Sequence, residues 1–296
     1  MRLLALLPLL TSTAALILTF LCLFAGSKPT LLQDYHLLTL NTSRLGYNLL
    51  NTTASTNTSN PFRNLWNDFR NNVNEEVNER IGDTAERLGI DDFYSLHMMN
   101  FCWGNYTPAP VGNATLKQSD IDKEVEKCSN RTAMFTWNPT ATLEQKLNDT
   151  GLGITLEDLK WPDEIDTGIT ALQTLQKATF ILYCLAIALI FVSLVAGLVA
   201  FFMSGRLSAC VNVLLAVMAF VALGIASALV TAVIVRAAKE INKFTDDIGI
   251  EAHRGGKFLA LTWAATGLVF VGMVVWCVEG CMGRRKREPK YVPKHG

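Results

Sequence analysis

Residues 178–203 read ATFILYCLAIALIFVSLVAGLVAFFM, an apolar stretch of 26 residues without one charged side chain. A bilayer hydrocarbon core of about 30 Å is crossed by about 20 helical residues, because each residue rises about 1.5 Å. The stretch is therefore long enough and apolar enough to span a membrane as a helix. The alternative is a buried helix of a large soluble protein, but charge-free runs of this length are very unusual there.

Three further stretches contain no Asp, Glu, Lys, Arg or His. They are Leu3–Phe24, Leu207–Val235 and Phe258–Val278. With Ala178–Met203 they predict four transmembrane helices. The first stretch also resembles a signal peptide, although its apolar run exceeds the roughly 7–15 residues of a signal core. We favour a retained helix over a cleaved signal.

The four spans divide the chain into seven segments. They are a first helix with its flank at 1–26, a large loop at 27–177, a second helix at 178–203, a third at 207–235, a second loop at 236–257, a fourth helix with its end at 258–281, and a basic tail at 282–296. The predicted fold class is an all-α membrane protein. Its four-helix bundle carries a large, mostly helical, disulfide-tied extracellular loop.

Charge is unevenly distributed although the net charge is zero. Residues 27–177 hold 20 acidic and 13 basic side chains, a balance of −7, and the rest of the chain therefore carries +7. Basic residues beside a span tend to stay cytosolic, and the last span is followed by Arg284, Arg285, Lys286, Arg287, Lys290 and Lys294. Both termini are then cytosolic and the large loop is extracellular. The five Lys and Arg residues of loop 236–257 run against this orientation without reversing it.

Acceptor sequences for N-glycosylation concentrate in the large loop. Asn-x-Ser/Thr occurs at Asn41, Asn51, Asn57, Asn105, Asn113, Asn130 and Asn148, and nowhere else in the chain. A single such triplet is weak evidence, but seven in one loop indicate a surface that passed through the secretory pathway. The alternative is a loop that is simply rich in Asn and Thr.

The loop also shows helical patterns. Apolar residues spaced three and four apart predict a long amphipathic helix over Pro61–Leu88, which either packs on the rest of the loop or lies on the outer membrane surface or a partner. Shorter helices are predicted at Asp120–Lys127 capped by Ser119, at Ala141–Asn148 capped by Thr140, at a turn from Thr155 to Leu159, and from Asp163 continuously into the second span. A small β element around Phe101–Val111 is the exception considered.

Cys102 and Cys128 are the two cysteines of the large loop; the other five lie in or beside the spans. An even pair in an oxidising compartment is most simply a disulfide, and the alternative is two buried thiols. The bond would close a loop of about 26 residues and contribute about 3 kcal/mol in the chain-entropy model.

The residues around the first of these cysteines resemble a known family. Asn100-Phe101-Cys102-Trp103-Gly104, with Cys128 following, is similar to the motif in the first outer loop of the fungal Sur-seven/PalI family, tetraspan proteins distantly related to the claudins. The four-span layout resembles that family along the whole chain. The Trp-Gly-Leu-Trp signature of the claudins is absent, so claudin-like paracellular sealing is not expected.

The resemblance implies a plasma-membrane protein of static fungal domains associated with eisosomes. Such proteins are linked to the organisation of membrane compartments and of the cell wall. The PalI branch instead assists a separate receptor in ambient-pH signalling, which makes an accessory or trafficking role the alternative. PalI proteins usually carry long cytosolic tails, and only 13 residues follow Gly283 here. The short tail favours the Sur-seven branch.

No enzyme motif is found. The four histidines, at 36, 97, 253 and 295, have no metal-site spacing, and no nucleophile elbow, phosphate loop or dinucleotide fingerprint occurs. We therefore expect no catalytic residue, no metal and no cofactor, and no nucleic acid as a partner. Transport is disfavoured because ion pathways place ionisable groups inside spans, and these spans have none.

Several residues in and beside the spans suggest association. Asn212 is expected to form an interhelical hydrogen bond, and small residues pair at Gly224 and Ala228, Ala222 and Ala226, and Gly267 and Ala264. They serve packing within one bundle or contact with a second copy or partner. At the cytosolic edge, Cys277 and Cys281 are candidate palmitoylation sites, and Arg284, Arg285, Lys286 and Arg287 are expected to attract anionic lipid, unless they act only as a topology signal.

Overall fold

The computed structural model describes residues 6–43, 90–107, 122–149, 155–156, 164–202, 206–245 and 249–285. These residues form two compact units. The helical unit comprises Met1–Leu23, Thr179–Leu229 and Leu259–Gly296, and the sheet unit comprises Phe24–Ala178 and Val230–Phe258.

Among the described residues, four helices are long and apolar enough to cross a membrane. They are α1 (Leu6–Phe24), α3 (Glu164–Phe202), α4 (Arg206–Thr245) and α5 (Gly256–Arg285). Only 28% to 39% of the most apolar window of each helix is buried inside the protein. Large apolar side chains such as Leu10, Phe191 and Leu214 are more than half exposed. Helices that are apolar on all faces yet exposed on most of them are suited to lipid, so the structure indicates a multi-pass membrane protein.

The interior of the helical unit is built from small side chains. Ala219, Ala226 and Ala265 are at most 1% exposed, and Leu223 is completely buried. A Cβ atom on Gly197 of α3 would lie 2.9 Å from the Leu9 side chain of α1. Small residues therefore permit the close backbone approach on which helix association in lipid depends.

The sheet unit contains a five-stranded antiparallel sheet. Its strands are β1 (Leu38–Asn41), β2 (Phe93–Leu96), β3 (Phe101–Thr107), β4 (Asp122–Cys128) and β5 (Glu251–Arg254), in the spatial order β4-β3-β2-β1-β5. β5 comes from the second predicted loop and pairs with β1, so that Leu38 lies opposite Arg254. One sheet thus joins segments from both predicted loops.

Apolar strand residues form the core of this unit. Leu40, Phe93 and Tyr94 are completely buried, and Ile90, just before β2, is 2% exposed. All four residues of β2 are buried, as expected for a central strand covered on both faces. β4 lies at the edge of the sheet and alternates exposed acidic residues with half-buried ones. Charged side chains on an edge strand disfavour pairing with another chain.

The all-α fold class is therefore corrected, because the described residues of the large loop contribute four strands to a sheet. The predicted helix Asp120–Lys127 is wrong too, because Asp122–Cys128 is strand β4. The sequence Asp-Lys-Glu-Val-Glu-Lys-Cys alternates with a period of two, which is the period of a strand. The β element considered around Phe101–Val111 is confirmed over Phe101–Thr107 as β3.

The other helical predictions fared differently. The predicted helix Ala141–Asn148 is confirmed as α2 (Pro139–Asp149). Its cap is Asn138 and not Thr140, since the Asn138 Oδ1 accepts a hydrogen bond from the Ala141 amide at 3.1 Å. The continuous helix predicted from Asp163 into the second span is confirmed as α3. The predicted helix Pro61–Leu88 lies outside the described residues, and the turn from Thr155 to Leu159 is described only at 155–156.

Candidate functional site

Cys102 and Cys128 form a disulfide between the two outermost strands on one side of the sheet. The two residues are direct cross-strand partners of β3 and β4, with their Cα atoms 3.9 Å apart. Cys102 is completely buried and Cys128 is half-buried. The pairing expected from the sequence is thus present in the structure, and it joins edge strand β4 covalently to its neighbour.

Asn100, the first residue of the sequence motif, fastens the start of β3 to the segment that follows α1. It is completely buried, and its Nδ2 donates a hydrogen bond to the Gly26 carbonyl at 2.9 Å. The Asn100 carbonyl also accepts a hydrogen bond from the His97 amide at 2.9 Å, which closes the turn between β2 and β3. An apolar side chain at position 100 would leave the Gly26 carbonyl without this donor.

Gly26 has no room for a side chain. Its φ of +71° lies in the left-handed region that glycine adopts without steric cost. A Cβ atom on Gly26 would also lie 2.2 Å from the His97 imidazole. The Gly26 carbonyl lies 3.4 Å from the Cys102 Sγ. Gly26 therefore lets the backbone approach both the buried imidazole and the disulfide.

Gln33 connects the disulfide to His97. Its Nε2 donates to the Lys28 carbonyl at 2.6 Å and lies 3.5 Å from the Cys102 Sγ and 3.7 Å from the Cys128 Sγ. Because Nε2 is the donor, the Gln33 Oε1 is the atom that faces the His97 Nε2 at 3.2 Å. The proton of the neutral imidazole must then lie on Nε2.

Burial lowers the pKa of His97 to about 3, and the nearby His36 and Lys123 add to the effect. The pKa of His36 is lowered to about 4, again mainly by burial and then by Lys123. Both imidazoles are therefore neutral near pH 7. The neutral state of His97 is the state that the Gln33 hydrogen bond requires.

Gly104, the last residue of the motif, sits at an irregularity of the β3–β4 ladder. The register shifts between Trp103 and Gly104. A Cβ atom at position 104 would lie 2.0 Å from the Glu124 backbone oxygen. The extra residue on β4 is Glu126, whose Oε1 accepts a hydrogen bond from the Asn105 Nδ2 at 2.8 Å. Glycine is needed because the backbone of the partner strand occupies the space of a side chain.

Phe101 belongs to an aromatic cluster on the half-buried face of β3. Its ring centroid lies 5.2 Å from Trp103, 6.1 Å from Phe135 and 6.2 Å from Trp137. Trp137 is 2% exposed, and its indole N–H donates to the Thr142 hydroxyl of α2 at 3.1 Å. The motif phenylalanine thus packs the segment before α2 against the sheet.

Two lysines make cation–π contacts with aromatic rings of the sheet. Lys146 of α2 lies 2.9 Å from the Asp91 carboxylate and 5.2 Å from the centre of the Trp103 ring. Lys123 of β4 lies 5.2 Å from the centre of the Phe93 ring and donates to the Thr39 hydroxyl at 3.2 Å. Burial lowers the pKa of Lys123 to about 8, partly offset by Asp34. These contacts hold α2 and β4 on the sheet.

The motif residues are therefore committed to the fold. The Asn100 Nδ2 binds a backbone carbonyl and Cys102 is cross-linked to Cys128, whereas the buried Asn100 Oδ1 has no hydrogen-bond partner in the described part of the chain. The Phe101 and Trp103 rings are half-buried on β3. Among the described residues, no group of three or more His, Cys, Asp and Glu side chains could hold a metal ion. The chemistry that this arrangement supports is cross-linking and cohesion of the sheet unit.

The structure describes four of the seven glycosylation acceptors. Asn130 and Asn148 are exposed. Asn105 is half-buried and bonded to Glu126, and its Oδ1 accepts from the Asp92 amide at 3.4 Å. The Asn41 Oδ1 accepts from the backbone amide of Ser43 at 3.1 Å and from its hydroxyl at 2.7 Å. The other three acceptors, Asn51, Asn57 and Asn113, lie outside the described residues.

Polar residues of the spans bind across helices. The Ser227 hydroxyl of α4 lies 2.8 Å from the Thr262 hydroxyl and 2.9 Å from the Thr266 hydroxyl of α5, and Thr262 is also bonded to Tyr183 of α3. Asn212 is 1% exposed, and its Nδ2 donates to Ser208 in its own helix at 2.9 Å and to the Ala196 carbonyl of α3 at 3.4 Å. The interhelical hydrogen bond expected of Asn212 is present, although it is long.

The small residues of the spans face two ways. Ala222 and Ala226 are buried inside the helical unit. A Cβ atom on Gly224 or Gly267 would meet no atom within 4 Å, and Ala228 and Ala264 are exposed. Ala222 and Ala226 therefore contribute to packing within the bundle.

The predicted lipid-binding edge is described only in part. Cys277 is a half-buried free thiol. The helical backbone of α5 includes Cys281, Arg284 and Arg285, but their side chains lie outside the described part of the structure, as do Lys286 and Arg287 altogether. Palmitoylation and lipid binding remain predictions.

Four further residues have structural roles near the motif that the sequence does not predict. They are Gly26, Gln33, His97 and Asp92, whose Oδ2 accepts a hydrogen bond from the Tyr106 amide at 2.9 Å. Gly26 and Gln33 lie more than sixty positions before the motif, and nothing in their local pattern indicates a contact with it. His97 follows an apolar strand by one residue, and its spacing from the other histidines indicates no shared site.

Comparison with known proteins gives one match. Residues 4–275 match the family model described as the SUR7/PalI family, which is nearly the whole chain. No curated protein and no solved structure matches.

Proposed function

Because the chain belongs to the SUR7/PalI family, we propose that it is a non-enzymatic tetraspan organiser of fungal plasma-membrane domains associated with eisosomes. In this role it supports the organisation of the membrane and of the cell wall. Its partners are membrane lipids and other membrane proteins or further copies of itself. The observation that carries the proposal is the family match over residues 4–275.

The structural contacts of the motif residues support a scaffold function. Asn100, Cys102 and Gly104 each meet a backbone group or a second cysteine in the folded unit. A cross-linked sheet unit in the same chain as lipid-facing helices suits assembly into a membrane domain.

The proposed topology has both termini in the cytosol and the large loop outside the cell. The acidic balance of residues 27–177, the basic residues after the last span and the seven acceptor triplets support it. A disulfide also persists most readily in an oxidising compartment.

The glycan part of this topology is tested with glycosidase. Asn130 and Asn148 have exposed side chains, so they are the first candidates to carry sugar. We expect deglycosylation to speed the migration of the full chain on a gel, and Asn130→Gln with Asn148→Gln to reduce that shift. An unchanged migration of the wild-type chain after digestion would contradict an extracellular loop bearing sugars.

Live imaging tests the organiser role. A C-terminal fluorescent fusion is imaged together with an eisosome marker, and recovery after photobleaching is measured. Stable cortical patches that coincide with the marker are expected. A diffuse, rapidly exchanging signal would contradict the organiser role. Diffuse signal combined with loss of one receptor from the membrane on deletion of the gene would favour the accessory role known from PalI proteins.

The basic cluster at the end of the last span is the proposed lipid contact at the cytosolic face. Each Lys or Arg near an anionic surface contributes about 1 kcal/mol of attraction. The test variant replaces Arg284, Arg285, Lys286 and Arg287 with Gln, and the matched control replaces Lys290 and Lys294, which lie farther from the span. We expect the first variant to lose patch retention and binding to anionic vesicles, and the control to keep most of both. Unchanged retention and binding in the first variant would leave the cluster as a topology signal.

A further inference from the structure

The segment 26–35 is a tightly closed loop directly after the first span. Backbone hydrogen bonds join the Gly26 amide to the Leu31 carbonyl at 2.9 Å, the Leu31 amide to the Lys28 carbonyl at 3.0 Å, and the Tyr35 amide to the Leu32 carbonyl at 3.1 Å. The Gln33 side chain adds a bond to the Lys28 carbonyl at 2.6 Å. These bonds fix the conformation of the loop.

The loop nevertheless exposes an apolar side chain and holds strained backbone. Leu31 is 41% exposed. Leu32 has a φ of +49°, in a region that residues with a Cβ atom adopt only at a steric cost. Strain of this kind persists where surrounding contacts impose it, and Met134 in another loop shares it with a φ of +54°. In this loop it accompanies an apolar side chain that points away from the interior.

Both ends of the loop are joined to membrane-spanning helices. Phe24, the last residue of α1, is two positions before Gly26. Asp34, near the far end of the loop, lies 2.6 Å from the Lys257 Nζ, and Lys257 is the second residue of the span Gly256–Glu279. The loop is therefore held at the points where two different helices leave the bilayer.

Most of the exposed apolar side chains in the sheet unit lie in or next to the ends of the spans. Among its described residues, those that are large, apolar and exposed are Phe24, Leu31, Met134, Leu175 and Val235. Phe24, Leu175 and Val235 belong to helices that span the membrane. Leu31 and Met134 lie in loops, and only Leu31 is joined by a short, bonded segment to a span end.

From this placement we propose that Leu31 and its loop contact the bilayer surface, with the Leu31 side chain inserted among the lipid acyl chains. The apolar side chain gains by leaving water, and Lys28, Asp34 and Lys257 lie at headgroup depth, where charged groups remain hydrated. The inference rests on the helices spanning a bilayer and not on the organiser role.

Photo-crosslinking of the full chain in lipid nanodiscs tests the contact. Benzoylphenylalanine replaces Leu31 in the test variant, Ile17 in the positive control and Met134 in the loop control, because Ile17 is 55% and Met134 is 46% exposed. Mass spectrometry then measures the yield of lipid adducts. Each variant is used only after it has formed the Cys102–Cys128 disulfide, which reports a folded sheet unit.

The expected yield at position 31 is similar to that at position 17 and at least about tenfold above that at position 134, as for an interfacial compared with a water-exposed side chain. Labelling at 17 but not at 31 would overturn the proposed loop contact and leave the spans intact. Absence of lipid adducts at both positions would overturn the contact together with the membrane assignment. Adducts at 31 that consist of protein and not lipid would show that another chain covers Leu31.

Discussion

The two units of this protein differ in which side chains they bury and which they expose. In the sheet unit the interior contains a carboxylate, an imidazole and an amide, at Asp92, His97 and Asn100. Among the described residues of the helical unit, the fully buried polar side chains carry hydroxyl groups, apart from Asn212, whereas apolar side chains such as Leu10 and Leu214 lie on the outside. Water rewards apolar burial and lipid does not, so the first unit is held by its core and cross-links and the second by close packing and hydrogen bonds.

The difference between the two units also explains why the motif lies in the sheet unit. Every residue of Asn100-Phe101-Cys102-Trp103-Gly104 lies in the sheet unit or at its edge, where exact contacts decide stability. The bundle needs only apolar surface outside and small or hydroxyl-bearing residues inside, a requirement that many sequences meet. Substitutions should therefore affect the sheet unit strongly and the helical unit weakly.

The largest effect is expected from Gly104→Ala. The added Cβ atom would lie 2.0 Å from the Glu124 backbone oxygen, and backbone cannot rotate away as a side chain does. We expect a loss of about 4 kcal/mol or more in the free energy of unfolding of the sheet unit. The outcome is measured in the purified chain by a brief pulse of reductant followed by thiol labelling of Cys102 and Cys128, because unfolding of the sheet unit exposes the disulfide to the reductant.

The matched control is Gly256→Ala, since a Cβ atom there meets nothing within 4 Å. It should leave both cysteines protected. Protected cysteines in Gly104→Ala as well would mean that the β3–β4 irregularity tolerates a side chain and that the glycine is not structural.

Removing the disulfide should have the next largest effect. The double substitution Cys102→Ala with Cys128→Ala opens a loop with a sequence separation of 26 and should cost about 3 kcal/mol. Thermal unfolding of the sheet unit, followed by near-ultraviolet circular dichroism, reports it. Cys184→Ala, which removes an exposed thiol in a span, serves as the control and should not change the transition. Equal transitions in the two variants would argue against a stabilising cross-link.

Acid should weaken the sheet unit and spare the helical unit. In the folded chain the pKa of His97 is about 3 and that of His36 about 4, below the ordinary value of 6.5. The unfolded chain therefore binds more protons, so their stabilising contribution is complete above pH 6.5 and is lost as pH falls toward 4. The expected loss relative to pH 7 is roughly 2.5 kcal/mol at about pH 5.5 for the two residues together, and it grows as pH falls further toward 4.

Unfolding midpoints of the two units, measured across this pH range, check the prediction. The described residues of the helical unit contain no histidine, so its midpoint should change less. A sheet unit whose stability is constant from pH 7 to pH 4 would contradict burial of the two neutral imidazoles.

The smallest effect is expected in the bundle. Ser227→Ala removes two hydroxyl contacts with α5, at 2.8 and 2.9 Å. Hydrogen bonds between membrane helices average about 0.6 kcal/mol, with a maximum near 1.7 kcal/mol. Unfolding of the reconstituted protein by a denaturing detergent should therefore shift only slightly. A loss as large as that of Gly104→Ala would erase the contrast between the two units.

The two units also differ in how far their structure can be predicted from the sequence. A span is a local property of one apolar run, and α1, α3, α4 and α5 lie where such runs occur. The sheet is not local: β1 has four residues and pairs with β5 from the other end of the chain, Leu38 with Arg254. No pattern inside a four-residue segment indicates such a distant partner.

The site was likewise predictable only where it is local. Two cysteines in one loop predict the disulfide, and the motif around Cys102 together with the four-span layout indicates the family. The contacts of Gln33 with both sulfur atoms depend on how the chain returns after α1. The helix prediction at Asp120–Lys127 fails because Ser119 and the charged residues after it suit a helix start, whereas the alternation of Asp122–Cys128 has the period of a strand.

Disulfide mapping of the unreduced chain, purified from membranes and analysed by mass spectrometry, tests most directly that the family motif builds a cross-linked sheet unit. The prediction is a linked peptide pair containing Cys102 and Cys128, with Cys22, Cys184 and Cys210 recovered as thiols. Recovery of Cys102 and Cys128 as free thiols, or either of them bonded to another cysteine, would contradict it.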